Sequence, residues 1–176
     1  MHRRTLVLLV AAIAITTAAV TVGTAAGGPA DRMSHEPNLI KTFGDNSFEA
    51  NTFIQSTLRF SPERFFPHTG ERVRWIDQDE TDEPHTVTVV RPRDVPSSAE
   101  EVFACRPCNQ ALDAHFGANP PKSRVNVGEP GLDQPGDSLL FLPDESIAAA
   151  VSAPAGTTLR YVCAIHPWMQ GKLVVG

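Results

Sequence analysis

The chain has 176 residues, of which 41% are hydrophobic and 20% charged, with 15 prolines and 12 glycines. That length suits one compact domain plus a leader and a linker, and it is too short for two ordinary domains. The proline and glycine content points to many turns and few long helices. With 15 basic against 20 acidic residues the chain is acidic, which argues against nucleic acid or an anionic membrane as a partner and permits docking to a basic protein.

Residues 1–26 read as an export signal. His2, Arg3 and Arg4 form a basic start, residues 6–22 are apolar apart from threonines, and Thr24, Ala25 and Ala26 supply the small residues of a cleavage site. A retained membrane anchor is the alternative, although so short a run sits at the low end for spanning a bilayer. The Arg pair followed by Thr5, Leu6 and Val7 also fits, weakly, a twin-arginine signal. Removing the leader leaves thirteen basic and twenty acidic residues, a net charge of −7. The mature protein is expected to be periplasmic, cell-surface or extracellular, and monomeric.

Residues 27–50 are rich in Gly, Pro, Asp, Asn and Ser and show no period, so they read as a flexible linker. The domain is expected over 51–176. Residues 52–60 read as one strand, 65–66 as a short one, 73–76 as a third and 86–90 as a fourth, with a polar, charged loop over 77–84.

The region 92–137 breaks this rhythm and reads as an insertion. Ser98 and Glu101 have capping-box spacing, so a short helix through Phe103 is expected, with another turn or two of helix over 110–116. Strand character returns at 138–142, 148–152, 157–162 and 172–175, with a turn at Pro154, Ala155 and Gly156. About seven short strands separated by turns indicate an all-β sandwich.

Three cysteines are present: Cys105, Cys108 and Cys163. Export favours disulfides, and the three-residue spacing suggests that Cys105 pairs with Cys108. A thiol-exchange motif or a second metal site, with His115 or His68 as a further donor, is the alternative. His35 and His68 otherwise read as surface residues. The odd thiol, Cys163, then needs a reason.

That reason lies in the run Cys163, Ala164, Ile165, His166, Pro167, Trp168, Met169. A thiol, an imidazole and a thioether recur at three-residue steps directly after a strand, and His85 opens a strand far back in the chain. Soft sulfur suits Cu(I), while imidazole nitrogen suits Cu(II). Two His, one Cys and a distant axial Met form the trigonal blue-copper donor set, so one copper ion held by His85, Cys163, His166 and Met169 is expected. Each of these residues alone reads as a buried or loop residue of no special role. Trp75 and Tyr161 read as core, and Trp168 as a shield of the copper or part of a docking surface.

Two blocks of the chain resemble the plastocyanin-like cupredoxins: 60–90, with Pro84, His85 and Thr86, and 156–175, with Cys163, His166, Met169 and Gly171. The short ligand loop is most similar to that of amicyanin. The resemblance implies a Greek-key β-sandwich, outer-sphere electron transfer between redox partners, and a His166 exposed as the electron port. Thr86 stands where many relatives carry Asn, whose side chain steadies the cysteine loop. The insertion has no counterpart in minimal relatives. A non-enzymatic electron carrier is expected, with a copper storage or delivery module as the alternative.

Overall fold

The computed structural model describes residues 38–176. The leader, and the linker up to residue 37, lie outside the described residues. Twelve strands and two α-helices are formed among them. β1 (Leu39–Phe43), β4 (Arg59–Ser61), β6 (Arg72–Ile76) and β10 (Ser146–Ala150) make a four-stranded sheet in the order β10-β6-β1-β4. A six-stranded sheet runs β5-β12-β11-β7-β9-β8, built from β5 (Arg64–Phe65), β7 (His85–Val90), β8 (Arg124–Val125), β9 (Ser138–Phe141), β11 (Thr158–Val162) and β12 (Gln170–Val174). β2 (Asn46–Glu49) and β3 (Phe53–Ser56) form a separate hairpin.

The chain passes between the two sheets after β4, β5, β6, β9 and β10, and most pairs are antiparallel; β1 with β6 and β12 with β5 are parallel. One apolar core fills the space between the sheets, drawing Ile40, Val73, Trp75 and Ile147 from one and Val87, Val89, Leu139, Tyr161 and Leu173 from the other. The period-two burial of β6 and β10 shows how alternation assigns one face of each strand to that core. The expected all-β sandwich with a partly helical insertion is the fold observed.

Two sequence expectations are corrected. The linker does not extend to residue 50. Leu39–Phe43 pairs with both β4 and β6, and Asn46–Glu49 with β3. These strands are short and bounded by Asn38, Gly44 and Asp45, so local composition hid them, and pairing with distant partners forms them. The single strand over 52–60 is in fact two, broken at Thr57 and Leu58, because one half pairs within the hairpin and the other joins the sandwich.

The insertion begins with a 3-10 turn and continues through α1 (Ala99–Phe103) and α2 (Arg106–Phe116). Ser98 Oγ accepts the Glu101 N–H at 3.2 Å, as the capping spacing predicts, although Glu101 reaches back to the Ser97 N–H (2.7 Å) instead of to Ser98. Ala111, Cys105 and Cys108 pack on Val90, Val162 and Ala164 in a second small core. The insertion therefore covers the outer face of the large sheet where β7 and β11 adjoin, which is why all six residues of β7 are buried. A disulfide joins Cys105 to Cys108 within this second core.

The return to β9 is clamped by Asp137. Its buried carboxylate accepts the N–H groups of Val127 (2.8 Å), Asp133 (3.0 Å) and Gln134 (3.0 Å).

Candidate metal centre

His85 is the first residue of β7, and Cys163 follows the last residue of β11, two adjacent strands of the large sheet. The turn from Cys163 to Met169 is closed by two backbone bonds. Cys163 N–H donates to the Met169 carbonyl at 2.9 Å, and Met169 N–H donates to the His166 carbonyl at 2.8 Å. These bonds fold the six-residue step back on itself and bring three donor side chains to one end of the sandwich.

The three nitrogen and sulfur donors converge. Cys163 Sγ lies 3.8 Å from His85 Nδ1 and 3.7 Å from His166 Nδ1, and one donor atom from each residue falls within 4.8 Å of the others. His85, Cys163 and Met169 are fully buried, and Met169 shares the main core with Cys163. Two imidazoles, a thiol and a thioether beside them form the donor chemistry of a type 1 copper site, so the residues present fit the ion that the sequence suggested.

Burial pushes the Cys163 thiol up, opposed by backbone N–H donors, with that of Thr86 at 3.4 Å from the sulfur foremost. A metal cation supplies the charge that burial withholds, which makes the thiolate accessible in this site. Burial, followed by the neighbouring His85, lowers the pKa of His166, against the opposing pull of Glu83.

Thr86 does hold the cysteine loop, as its position suggested. Its Oγ1 accepts the Ala164 N–H at 2.6 Å. The hydroxyl then contacts Thr88 Oγ1 (3.0 Å), Thr88 contacts Ser138 Oγ (2.8 Å), and Ser138 contacts His115 Nε2 (2.8 Å). His115 Nδ1 meets the Lys122 carbonyl. His115, the nearest candidate for a second metal site, is thus a fully buried structural residue of α2. His68 is exposed, and His35 lies outside the described residues.

His166 is not the exposed port that the resemblance implied. Only 5% of it is exposed. Glu83 Oε2 lies 2.7 Å from its Nε2, and the Trp168 ring stands 5.2 Å from its own. Trp168 is the exposed group, at 41%, and its Nε1–H donates to Ser56 Oγ of the hairpin at 3.1 Å. Trp75 and Tyr161 are core residues, as expected.

Sequence reasoning missed the acidic loop between β6 and β7. Asp79 Oδ2 lies 2.7 Å from His85 Nε2, and Asp77 Oδ1 lies 3.8 Å from the same atom. Neither His85 Nε2 nor Asp79 Oδ2 has an aligned hydrogen bond. Asp79 accepts the Thr81 N–H (3.0 Å) and O–H (2.7 Å), and Asp77 accepts the Thr42 O–H (2.6 Å) and the Asp144 N–H (2.9 Å). Burial works to raise the Asp79 pKa, but the bonds from Thr81, with the Thr42 hydroxyl and His85 nearby, outweigh it and hold the carboxyl below its ordinary range. The sequence signal was the cluster of Asp77, Asp79, Glu80, Asp82 and Glu83 immediately before a candidate ligand.

No protein-family model matches the chain, and no curated protein matches it either. Solved structures similar to it are cupredoxins. A purple cupredoxin from Nitrosopumilus maritimus is 14% identical, with 79% of this chain and 99% of that one covered and a TM-score of 0.43. Auracyanin A, a "blue" copper protein from Chloroflexus aurantiacus, is 20% identical, with 78% and 98% covered and a TM-score of 0.44. An amicyanin mutant in the Cu(I) form is 19% identical, with 67% and 73% covered and a TM-score of 0.37. At such similarity the site's own donors must carry the functional reading.

Proposed function

We propose that this protein holds one copper ion between His85, Cys163, His166 and Met169 and carries single electrons between redox partners outside the cytoplasm. The observation that carries this reading is the convergence of two imidazole Nδ1 atoms within 3.8 Å of a fully buried Cys163 Sγ. Bound copper would supply a one-electron couple. A donor set that suits both oxidation states needs little rearrangement between them.

The chain's own residues do the rest. Burial excludes water from the sulfur. The Ala164 N–H bond to Thr86 Oγ1 and the Cys163 N–H bond to the Met169 carbonyl hold the loop in place. Four protein donors leave no position for a substrate, which favours a carrier over an enzyme. Closure also disfavours a delivery module, which needs an open site. Trp168, half-exposed and beside the His166 ring, offers the edge through which a partner is met.

The test is a visible spectrum. One equivalent of Cu(II) added to the copper-free protein is expected to give an intense blue colour from charge transfer out of the Cys163 sulfur, and Cys163→Ser to abolish it. A folded wild-type protein that stays colourless under oxidising conditions overturns the assignment.

A further inference from the structure

We propose that the acidic loop 77–83 sets the redox balance of the copper centre, with Asp79 and Glu83 as positioning residues whose negative charge, 2.7 Å from the outward nitrogen of each imidazole, favours the divalent ion. This rests on the copper reading of His85, Cys163, His166 and Met169.

Each ring turns Nδ1 toward Cys163 and Nε2 toward a carboxylate. Glu83, whose Oε2 lies 2.7 Å from His166 Nε2, makes that ligating imidazole a stronger donor. Its charge also attracts a doubly charged ion twice as strongly as a singly charged one at the same place. Both effects stabilise Cu(II) over Cu(I). With the thiolate and two carboxylates around it, the site is already negative before an electron arrives, so reduction is disfavoured further.

The two carboxylates are built differently. The Asp79 side chain is fully buried, tied down by both donors of Thr81, and adjoins Asp77, which Thr42 of β1 holds. Glu83 is half-exposed and is held by the Asn46 side-chain amide of the hairpin at 3.1 Å. Solvent and salt therefore screen Glu83 more than Asp79. Three segments separate in sequence, β1, the hairpin and the loop, converge to hold two charges against two rings.

Glu83→Gln keeps volume and an acceptor oxygen at a surface position, so the fold survives it and only the charge is lost. Chelator-competition titrations of the copper-free protein with Cu(II) and, separately, with Cu(I) give both affinities. Relative to wild type, E83Q is expected to bind Cu(II) about tenfold more weakly with Cu(I) binding little changed, which is a potential raised by about 59 mV for one electron. Glu83→Asp, which keeps the charge, is expected to stay closer to wild type. Asp79→Asn is expected to shift the balance in the same direction in material that circular dichroism shows to be folded. An E83Q protein with the wild-type ratio of affinities, or with both affinities reduced equally, overturns the proposal. Wild-type protein without a Cys163-dependent blue band overturns the copper reading itself; a blue wild type with an unshifted E83Q overturns only the role of the loop.

Discussion

Ser138 Oγ lies 2.8 Å from His115 Nε2, and this contact joins the helical insertion to the cysteine loop. The proton order along the connection follows from the donors. The Lys122 carbonyl only accepts, so His115 Nδ1 carries the ring proton. Neutral His115 then accepts at Nε2 from Ser138, Ser138 accepts from Thr88, Thr88 from Thr86, and Thr86 from the Ala164 N–H. Every group in this buried seam has a partner, and each hydroxyl is oriented by the next. Ser138→Ala leaves His115 Nε2 without a donor and the Thr88 O–H without an acceptor in the interior, so it is expected to cost about 1–3 kcal/mol in urea unfolding. A loss near zero would mean that water or a neighbour replaces the hydroxyl and that the seam is not continuous.

The same residue predicts how the copper-free protein responds to acid. Burial lowers the pKa of His115, so the neutral ring is the folded form. The unfolded chain takes up a proton near the ordinary His value of about 6.5, while the folded one resists to lower pH. His115 therefore contributes stability that is present above that pH and is lost as pH falls below it, by at most about 1.4 kcal/mol per pH unit. Thermal unfolding of wild type and His115→Gln from pH 7.5 downward isolates this contribution from that of the other histidines. Equal pH slopes in the two proteins would refute it.

How much of this was legible in the sequence differs between elements. The run Thr86, Val87, Thr88, Val89, Val90 announces a strand by its side chains alone, and the Cys163, His166, Met169 spacing announces a metal loop. The donors for His85 and Thr86 follow from their places beside that loop. The hairpin 46–56 was opaque: its residues are exposed almost throughout, so no buried face imposes a period of two on them. The burial of His166 was opaque too, because Glu83 and Trp168 each stand against the ring, and their supports, Asn46 and Ser56, are contributed by that hairpin. The seam to His115 joins residues 23 and 50 positions apart, and no local pattern encodes such pairs.

Met169 would supply the fourth donor, and its substitution tests that role. Cu(I) is satisfied by two nitrogens and a thiolate, whereas Cu(II) gains more from a fourth donor. Met169→Leu fills the same buried volume without the sulfur, at a packing cost under about 1.5 kcal/mol. It is expected to retain copper and to raise the reduction potential, by roughly 59 mV for each tenfold shift in relative affinity. Loss of copper binding in M169L alone would contradict a trigonal site with a weak axial donor.

The disulfide joins residues only three positions apart, so it removes little chain entropy and global stabilisation of only about 1–2 kcal/mol is expected from it. Its place in the second small core, against Val90 and Ala164, points to a local role in seating the insertion. Alkylation of unreduced, unfolded, copper-free protein followed by mass spectrometry should label Cys163 alone. Three labelled thiols would rule the bond out, and copper retained at two equivalents, with the second lost in Cys105→Ser, would point to a metal site there.

Gly171 offers a test of packing close to the proposed copper site. It lies directly opposite Tyr161 where β12 pairs with β11. The Tyr161 ring is fully buried and packs edge-on against Phe60 at 5.1 Å and Trp75 at 6.1 Å. A Cβ on residue 171 would stand 2.2 Å from Cζ of that ring, a separation no real contact allows. The ring is fully buried and in contact with both other aromatics, so it has little room to move. Overpacking a core in this way costs typically 1–3 kcal/mol, and here the displaced residue lies two positions before Cys163, so the blue band should weaken along with the unfolding midpoint. A second substitution separates this clash from a generic loss of glycine. Tyr161→Leu alone opens a cavity and is destabilising, but it removes the atoms that the new methyl would strike. The double variant, Gly171→Ala with Tyr161→Leu, should therefore be more stable than the sum of the two single losses predicts, by about 1 kcal/mol or more. Strictly additive losses would show that Gly171 is required for some reason other than the ring beside it.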